Sequence, residues 1–207
     1  MFDKTTFQEE KTLHAAEPSI GYKSQYDYED YLKFDFDYMV ELIKGKIFKM
    51  SPAPSSFHQL IAGNLHLFFG NYFKHKECSV FIAPFDVVLP IQNKKNKLKN
   101  NTVIQPDLCL ICDPNKIDKS GCFGAPDLVV EILSPHTRKK DVKYKYDLYE
   151  EVGILEYWVV MPMDHLLQIF ILENGAYKLQ DTYTDEDIIY PSQFPDLKVV
   201  LSEVFPS

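Results

Sequence analysis

The chain lacks any stretch approaching the roughly 18 consecutive apolar residues that a bilayer-spanning helix needs. Its first ten residues also lack a basic segment followed by an apolar one. No targeting or membrane segment is therefore expected, and the cytoplasm is the expected compartment. A basic excess is missing too: 22 Lys and Arg stand against 30 Asp and Glu, for a net charge of -8 and a pI near 5.2. This balance argues against an indiscriminate polyanion binder, which would carry a broad basic face. It leaves room for a nuclease, because a cation-binding site is itself built from acids. There is no internal repeat and no low-complexity tract. Cysteines number only four: Cys78, Cys109, Cys112 and Cys122. The Cys109/Cys112 spacing falls in an expected strand, where positions three apart face opposite sides, so the pair does not close on one zinc. Reduced core thiols are the expectation for all four.

What the chain does have is apolar mass. In 207 residues, 45% are hydrophobic and 14% aromatic, enough to bury one substantial core. Residues 1–24, polar and weakly periodic, are read as an extension of uncertain order, and residues 25–207 as one domain. A short amphipathic helix is expected within 25–36, then a helix end or strand, a turn at Lys44-Gly45-Lys46 and a strand up to Met50. Residues 57–76 give the clearest helix, with Ile61, Leu65, Phe68 and Tyr72 laying an apolar stripe along one face behind a cap at Ser55 or Ser56. A strand follows over 80–90, then a polar loop over 92–101 carrying Lys94, Lys95, Lys97 and Lys99. A second helix is expected over 135–152, ending at Gly153. Strands are expected over 156–161 and 166–172, the latter joined through the Asn174-Gly175 hairpin to 177–179. Helices flanking clustered strands describe an α/β fold on a mixed sheet, and the helix between Glu131 and Trp158 suits a crossover between parallel strands.

The anomaly lies between Val103 and Ser134. Two β-branched-rich runs, Val103-Ile-Gln-Pro-Asp107-Leu-Cys-Leu-Ile-Cys112 and Gly124-Ala-Pro-Asp-Leu-Val-Val-Glu131-Ile-Leu-Ser134, read as strands buried on both faces, and each carries a carboxylate. A buried acid must be neutralised, paired or bound to a cation. Asp107 and Glu131, brought together by neighbouring strands, suit a divalent ion such as Mg2+ or Mn2+, which takes oxygen ligands and activates water. Lys145, on the helix after the Glu131 strand, is the candidate to stabilise negative charge on phosphate oxygens.

Gln105-Pro106-Asp107, the run Ala125–Pro135, Asp141-Val-Lys-Tyr-Lys145-Tyr-Asp-Leu-Tyr149, Gly153 and Glu156-Tyr-Trp-Val-Val160 together resemble the Uma-type family of restriction-endonuclease-like proteins. Upstream, Glu41-Leu-Ile-Lys-Gly-Lys46, Met50-Ser-Pro52 and His58-Gln59 continue the likeness, which spans about residues 26–205. The resemblance implies the PD-(D/E)XK nuclease fold, a central mixed sheet flanked by helices with a metal site at one edge. It implies Asp107 and Glu131 as metal ligands, Glu41 as an additional acid, and Lys145 in place of the lysine that the wider superfamily carries where Leu133 stands here. The function so implied is a divalent-metal-dependent endonuclease acting on phosphodiester bonds in DNA, and a homodimer is compatible with it. Two other classes remain open: a catalytically inactive nuclease fold serving as a binding or regulatory module, and a hydrolase using Asp107 and Glu131 as a metal-free acid and base.

Plainer readings stand beside these. Asp127 lies roughly 13 Å along the strand from Glu131 and reads as a strand-entry residue. Asp141 and Lys145 have the spacing of a helical ion pair, and Glu41 that of a solvated helix-end acid. His58 and His136 read as a helix cap and a loop residue, and Asp86 as a sheet-edge acid. Arg138, Lys139 and Lys140 open a helix against its macrodipole and are candidate phosphate contacts, as are Lys95 and Lys97 in the lysine loop. Glu131→Ala is expected to abolish cleavage and leave folding intact.

Overall fold

A computed structural model describes residues 23–50, 53–92, 98–134 and 144–206. In chain order the elements are α1 (Tyr28–Tyr31), β1 (Val40–Ile43), β2 (Lys46–Lys49), α2 (Ser56–Phe73), β3 (Ser79–Ile82), β4 (Val87–Val88), β5 (Ile91–Gln92), β6 (Leu98–Lys99), β7 (Val103–Ile104) and β8 (Leu108–Ile111). They continue with β9 (Cys122–Phe123), β10 (Leu128–Ile132), α3 (Tyr146–Val152), β11 (Glu156–Met161), β12 (Leu166–Glu173), β13 (Ala176–Thr184), β14 (Ile188–Ile189), β15 (Val199–Val200) and α4 (Leu201–Val204).

Two sheets dominate. The larger runs β13-β12-β11-β10-β8-β3 and the smaller β2-β1-β7-β4-β9. In the larger, β10 and β11 are parallel while the other pairings are antiparallel, so it is mixed. The parallel pair needs a crossover, and the segment containing α3 provides it. Strand alternation then divides the core. Leu128, Val130 and Ile132 join Leu108 and Leu110 in a cluster with Ile61, Leu65, Phe69 and Phe73 of α2. Val129 and Leu133 join Cys109 and Ile111 in a second cluster with Leu148 and Tyr149 of α3 and with Val87 and Ile104 of the small sheet. Glu131, between Val129 and Leu133, shares the parity of this second face.

Several elements differ from their sequence reading. The helix expected within 25–36 is one turn, capped at Asp27 by a capping box with Asp30. After it, Phe34, Phe36 and Tyr38 are half-buried while Asp35 and Asp37 are exposed, an alternation of period two. On α2 the buried row is Ile61, Leu65, Phe69 and Phe73, with Phe68 and Tyr72 only flanking it, because the face against the sheet follows an unbroken i, i+4 ridge. Ser55 is the cap, accepting from His58 N at 3.2 Å. The strand expected over 80–90 is two strands in different sheets, parted at Pro84, which has no N–H for a ladder. The strand after Asn174-Gly175 runs to Thr184. Of the helix expected over 135–152, α3 is the described part, ending at Gly153 with φ 83°. The 1–24 extension lies outside the described residues except at its end, as do Arg138, Lys139, Lys140, Asp141, His136, Lys94, Lys95 and Lys97.

The thiol expectation needs correction. Cys78 and Cys112 form a disulfide, and Cys109 and Cys122 are free and buried. The β3–β8 register pairs Ser79 with Ile111, so one step further sets Cys78 against Cys112. That adjacency comes from strand pairing 34 residues apart, which no local spacing announces. Beside β9, Gly121 has φ 145° and packs so closely that a Cβ there would lie 2.2 Å from the Asp86 carbonyl oxygen.

Candidate active site

The β8–β10 register pairs Val130 with Leu108. One step beyond, Asp107 stands across from Glu131, and facing positions of an antiparallel pair project to the same side. Asp107 Oδ2 accepts from the Ile132 N–H at 2.7 Å, which ties its carboxylate to the residue after Glu131. Asp107 Oδ1 lies 3.2 Å from His58 Nε2, at the start of α2. The Asp107 and His58 side chains keep 18% and 13% exposure, making this the accessible edge of a cluster whose other members are sealed.

Behind them lies a buried charge relay. Lys145 Nζ donates to Glu131 Oε1 at 2.6 Å and stands 3.1 Å from Glu41 Oε1. The Tyr149 hydroxyl donates to the same Glu131 Oε1 at 2.5 Å, and the Gln105 N–H donates to Glu41 Oε1 at 3.0 Å. Lys145 immediately precedes α3 and Tyr149 lies one turn on, so both project from one helix face onto β10. Burial and the neighbouring Glu131 charge push the Tyr149 hydroxyl well above its usual pKa, which keeps it a donor. Buried charges survive only when paired and hydrogen-bonded, and here one ammonium bridges two carboxylates.

The candidates thus gather as four: Glu41, Asp107, Glu131 and Lys145. Lys145 reaches strand acids, and its helical partner Asp141 is outside the described residues. Glu41 is fully buried on β1, not a solvated helix-end acid, because β1 is the second strand of the small sheet. His58, which reads from sequence as a cap or solvated residue, contacts Asp107 with its ring. Tyr149 and Gln105 are the further additions; the i+4 step from Lys145 and the Gln-Pro-Asp motif are the signals for them. Asp127 is a strand-entry residue, accepting from Cys112 N at 2.7 Å. Asp86 accepts from Gln105 Nε2 at 2.7 Å and the Tyr31 hydroxyl at 3.0 Å, on the far side of Gln105.

The donor set fits a hard divalent cation in kind. Asp107 and Glu131 offer oxygens from facing positions, and Mg2+ is characteristically held by one or two carboxylates with water completing its shell. Among the described residues no three His, Cys, Asp or Glu side chains come together as a group that could hold a metal ion, so Asp107 and Glu131 offer a two-carboxylate site at most.

Residues 27–202 match the family Uma2, described as "Putative restriction endonuclease". The chain belongs to the Uma2 family. A solved structure from Anabaena variabilis, described as "a putative nuclease belonging to DUF820", shares this fold with a TM-score of 0.66 at 17% identity, over 87% of this chain and 97% of that one. An uncharacterized protein of Synechocystis sp., slr1290, is 29% identical over 121 residues, 58% of this chain and 59% of the relative. The match thus spans well under two thirds of that relative's length. Asp107, Glu131, Lys145 and Tyr149 all fall inside the Uma2 match, as do Glu41 and His58. No helix among the described residues is long and apolar enough to cross a membrane.

Proposed function

We propose that this Uma2 chain is a divalent-metal-dependent endonuclease that hydrolyses phosphodiester bonds in DNA. The observation that carries the reading is the facing placement of Asp107 and Glu131, with an ammonium delivered beside them by the α3 segment. Asp107 and Glu131 would hold Mg2+, with Glu41 assisting from behind them through Lys145. Bound there, the ion would supply Lewis acidity and a water of lowered pKa. Lys145, sealed behind Glu131, would act through its field on negative charge developing on phosphate oxygens at the Asp107 edge. Tyr149 and Gln105 hold Glu131 and Glu41 in place, and His58, at the accessible edge, sits where it can take or return a proton at Nε2. A restriction-like fold is compatible with a homodimer, measurable by light scattering.

The test is nicking of supercoiled plasmid with and without Mg2+. Wild type should nick only with the metal, and Asp107→Asn and Glu131→Gln should each lose roughly a hundredfold or more. Retained nicking in both variants sinks the assignment. A second reading, an inactive nuclease fold that binds or regulates, draws support from Lys145, whose single ammonium already pairs with both Glu41 and Glu131. Calorimetric Mg2+ titration separates the two, since heat lost in Asp107→Asn supports a metal site and no heat in wild type supports the inactive module.

A further inference from the structure

Next to the acids lies a cleft of about 330 Å³ lined by Tyr31, Phe34, Phe36, Tyr38, Met39 and Gln105, among others. Its aromatic rings form a continuous ladder: Tyr31 and Phe34 centroids are 5.8 Å apart, Phe34 and Phe36 5.3 Å, and Phe36 and Tyr38 5.2 Å with planes inclined by 12°. The Lys49 ammonium sits 4.3 Å from the Tyr38 ring centroid. Two polar atoms of lining residues are buried without a hydrogen-bond partner among the described residues, Gln105 Oε1 and Tyr38 Oη. The Gln105 amide orientation is fixed, because its Nε2 faces the Asp86 carboxylate and only a donor suits that contact. Gln105 itself is 8% exposed.

We propose that this cleft is a nucleobase subsite, receiving the base of an unpaired nucleotide of the substrate, a proposal that rests on the nuclease reading above. Stranded polar atoms of this kind cost free energy unless a ligand completes them. An aliphatic occupant would leave Gln105 Oε1 and Tyr38 Oη unsatisfied. A phosphate would meet no cation among the lining residues, and the nearby Lys49 ammonium already lies over the Tyr38 ring. A flat heterocycle with a hydrogen-bonding edge meets every feature: faces for the rings, a donor for Gln105 Oε1 and a polar atom for the Tyr38 hydroxyl. The cleft adjoins the acids through Gln105, which lines it and holds Glu41 with its backbone N–H, and through Val40, which directly precedes Glu41.

The test is fluorescence anisotropy with the full chain, in chelator so that nothing is cut. Probes are fluorescein-labelled single-stranded dT, dA and dC homopolymers and an abasic strand of equal length. Wild type should bind at least one base-bearing strand roughly tenfold more tightly than the abasic strand. Phe36→Leu, which keeps apolar volume but removes the π-face, should erase most of that difference. Tyr38→Phe removes a hydroxyl with no hydrogen-bond partner among the described residues, so it should lower affinity for at least one base without lowering the melting temperature. Equal binding of abasic and base-bearing strands overturns the proposal, as does a base preference that survives both variants. Plasmid nicking keeps the two hypotheses apart: nicking without base preference sinks the subsite alone, and base preference without metal-dependent nicking sinks the nuclease alone.

Discussion

Lys145 is the residue on which the charge balance of the site turns. Removing Glu131 strips Lys145 and Tyr149 of a shared acceptor while Glu41 still compensates the ammonium, so Glu131→Ala should destabilise the fold by about 1–3 kcal/mol, contrary to the sequence expectation of intact folding. Urea denaturation checks this, and it is why Glu131→Gln is the better probe of activity. Tyr149→Phe removes one donor from Glu131 and should cost about 1–2 kcal/mol while slowing nicking. Glu156, fully buried, accepts from Trp158 Nε1, Ser192 N and Ser192 Oγ, and burial raises its pKa above the usual 4.5. The folded state then binds more protons than the unfolded state. The stability this group contributes is full below pH 4.5 and is lost as pH climbs through the raised value. Melting temperatures taken across that window should fall in wild type relative to Glu156→Gln. The acids are legible from sequence because charge inside a β-branched run is anomalous. Of their partners, His58 reaches them only through helix packing, while Gln105 and Tyr149 carry no more signal than the Gln-Pro-Asp motif and the i+4 step from Lys145.

At the scale of elements, local chemistry is readable wherever it is self-contained. The Ser55 cap, the Asn174-Gly175 hairpin and the Gly153 stop all act within one turn of chain, and each stands where the sequence places it. Gly153 has φ 83° and open space around a would-be Cβ, so Gly153→Ala should cost about 1 kcal/mol from backbone strain alone, read by thermal denaturation. Phe69, in full contact with the large sheet, should cost about 3–5 kcal/mol as alanine. Whatever depends on a partner element escapes a local reading. The strand expected over 80–90 breaks because its halves belong to different sheets, and the α2 stripe rotates because its ridge is chosen by the sheet beneath.

For the molecule as a whole, two sheets meeting along the second core cluster explain how acids from β1, β10 and the edge of β8 converge. The small sheet brings Glu41, the large one Asp107 and Glu131, and α3 closes over the junction. None of this pairing follows from periodicity, although the motif order anticipates the mixed sheet. Cys109 and Cys122 sit in that junction, with burial pushing both thiols up, Cys122 to about 11. Both should resist iodoacetamide in the native chain and react on unfolding, as mass spectrometry would register.

Gly121 bears on the acids from a distance. Any side chain there must shove the Asp86 backbone, whose carboxylate anchors Gln105, which in turn steadies Glu41. A random library scored for lost cleavage should therefore return lesions at this loop position, and they would look like damage to the reaction centre although no reacting group had been touched.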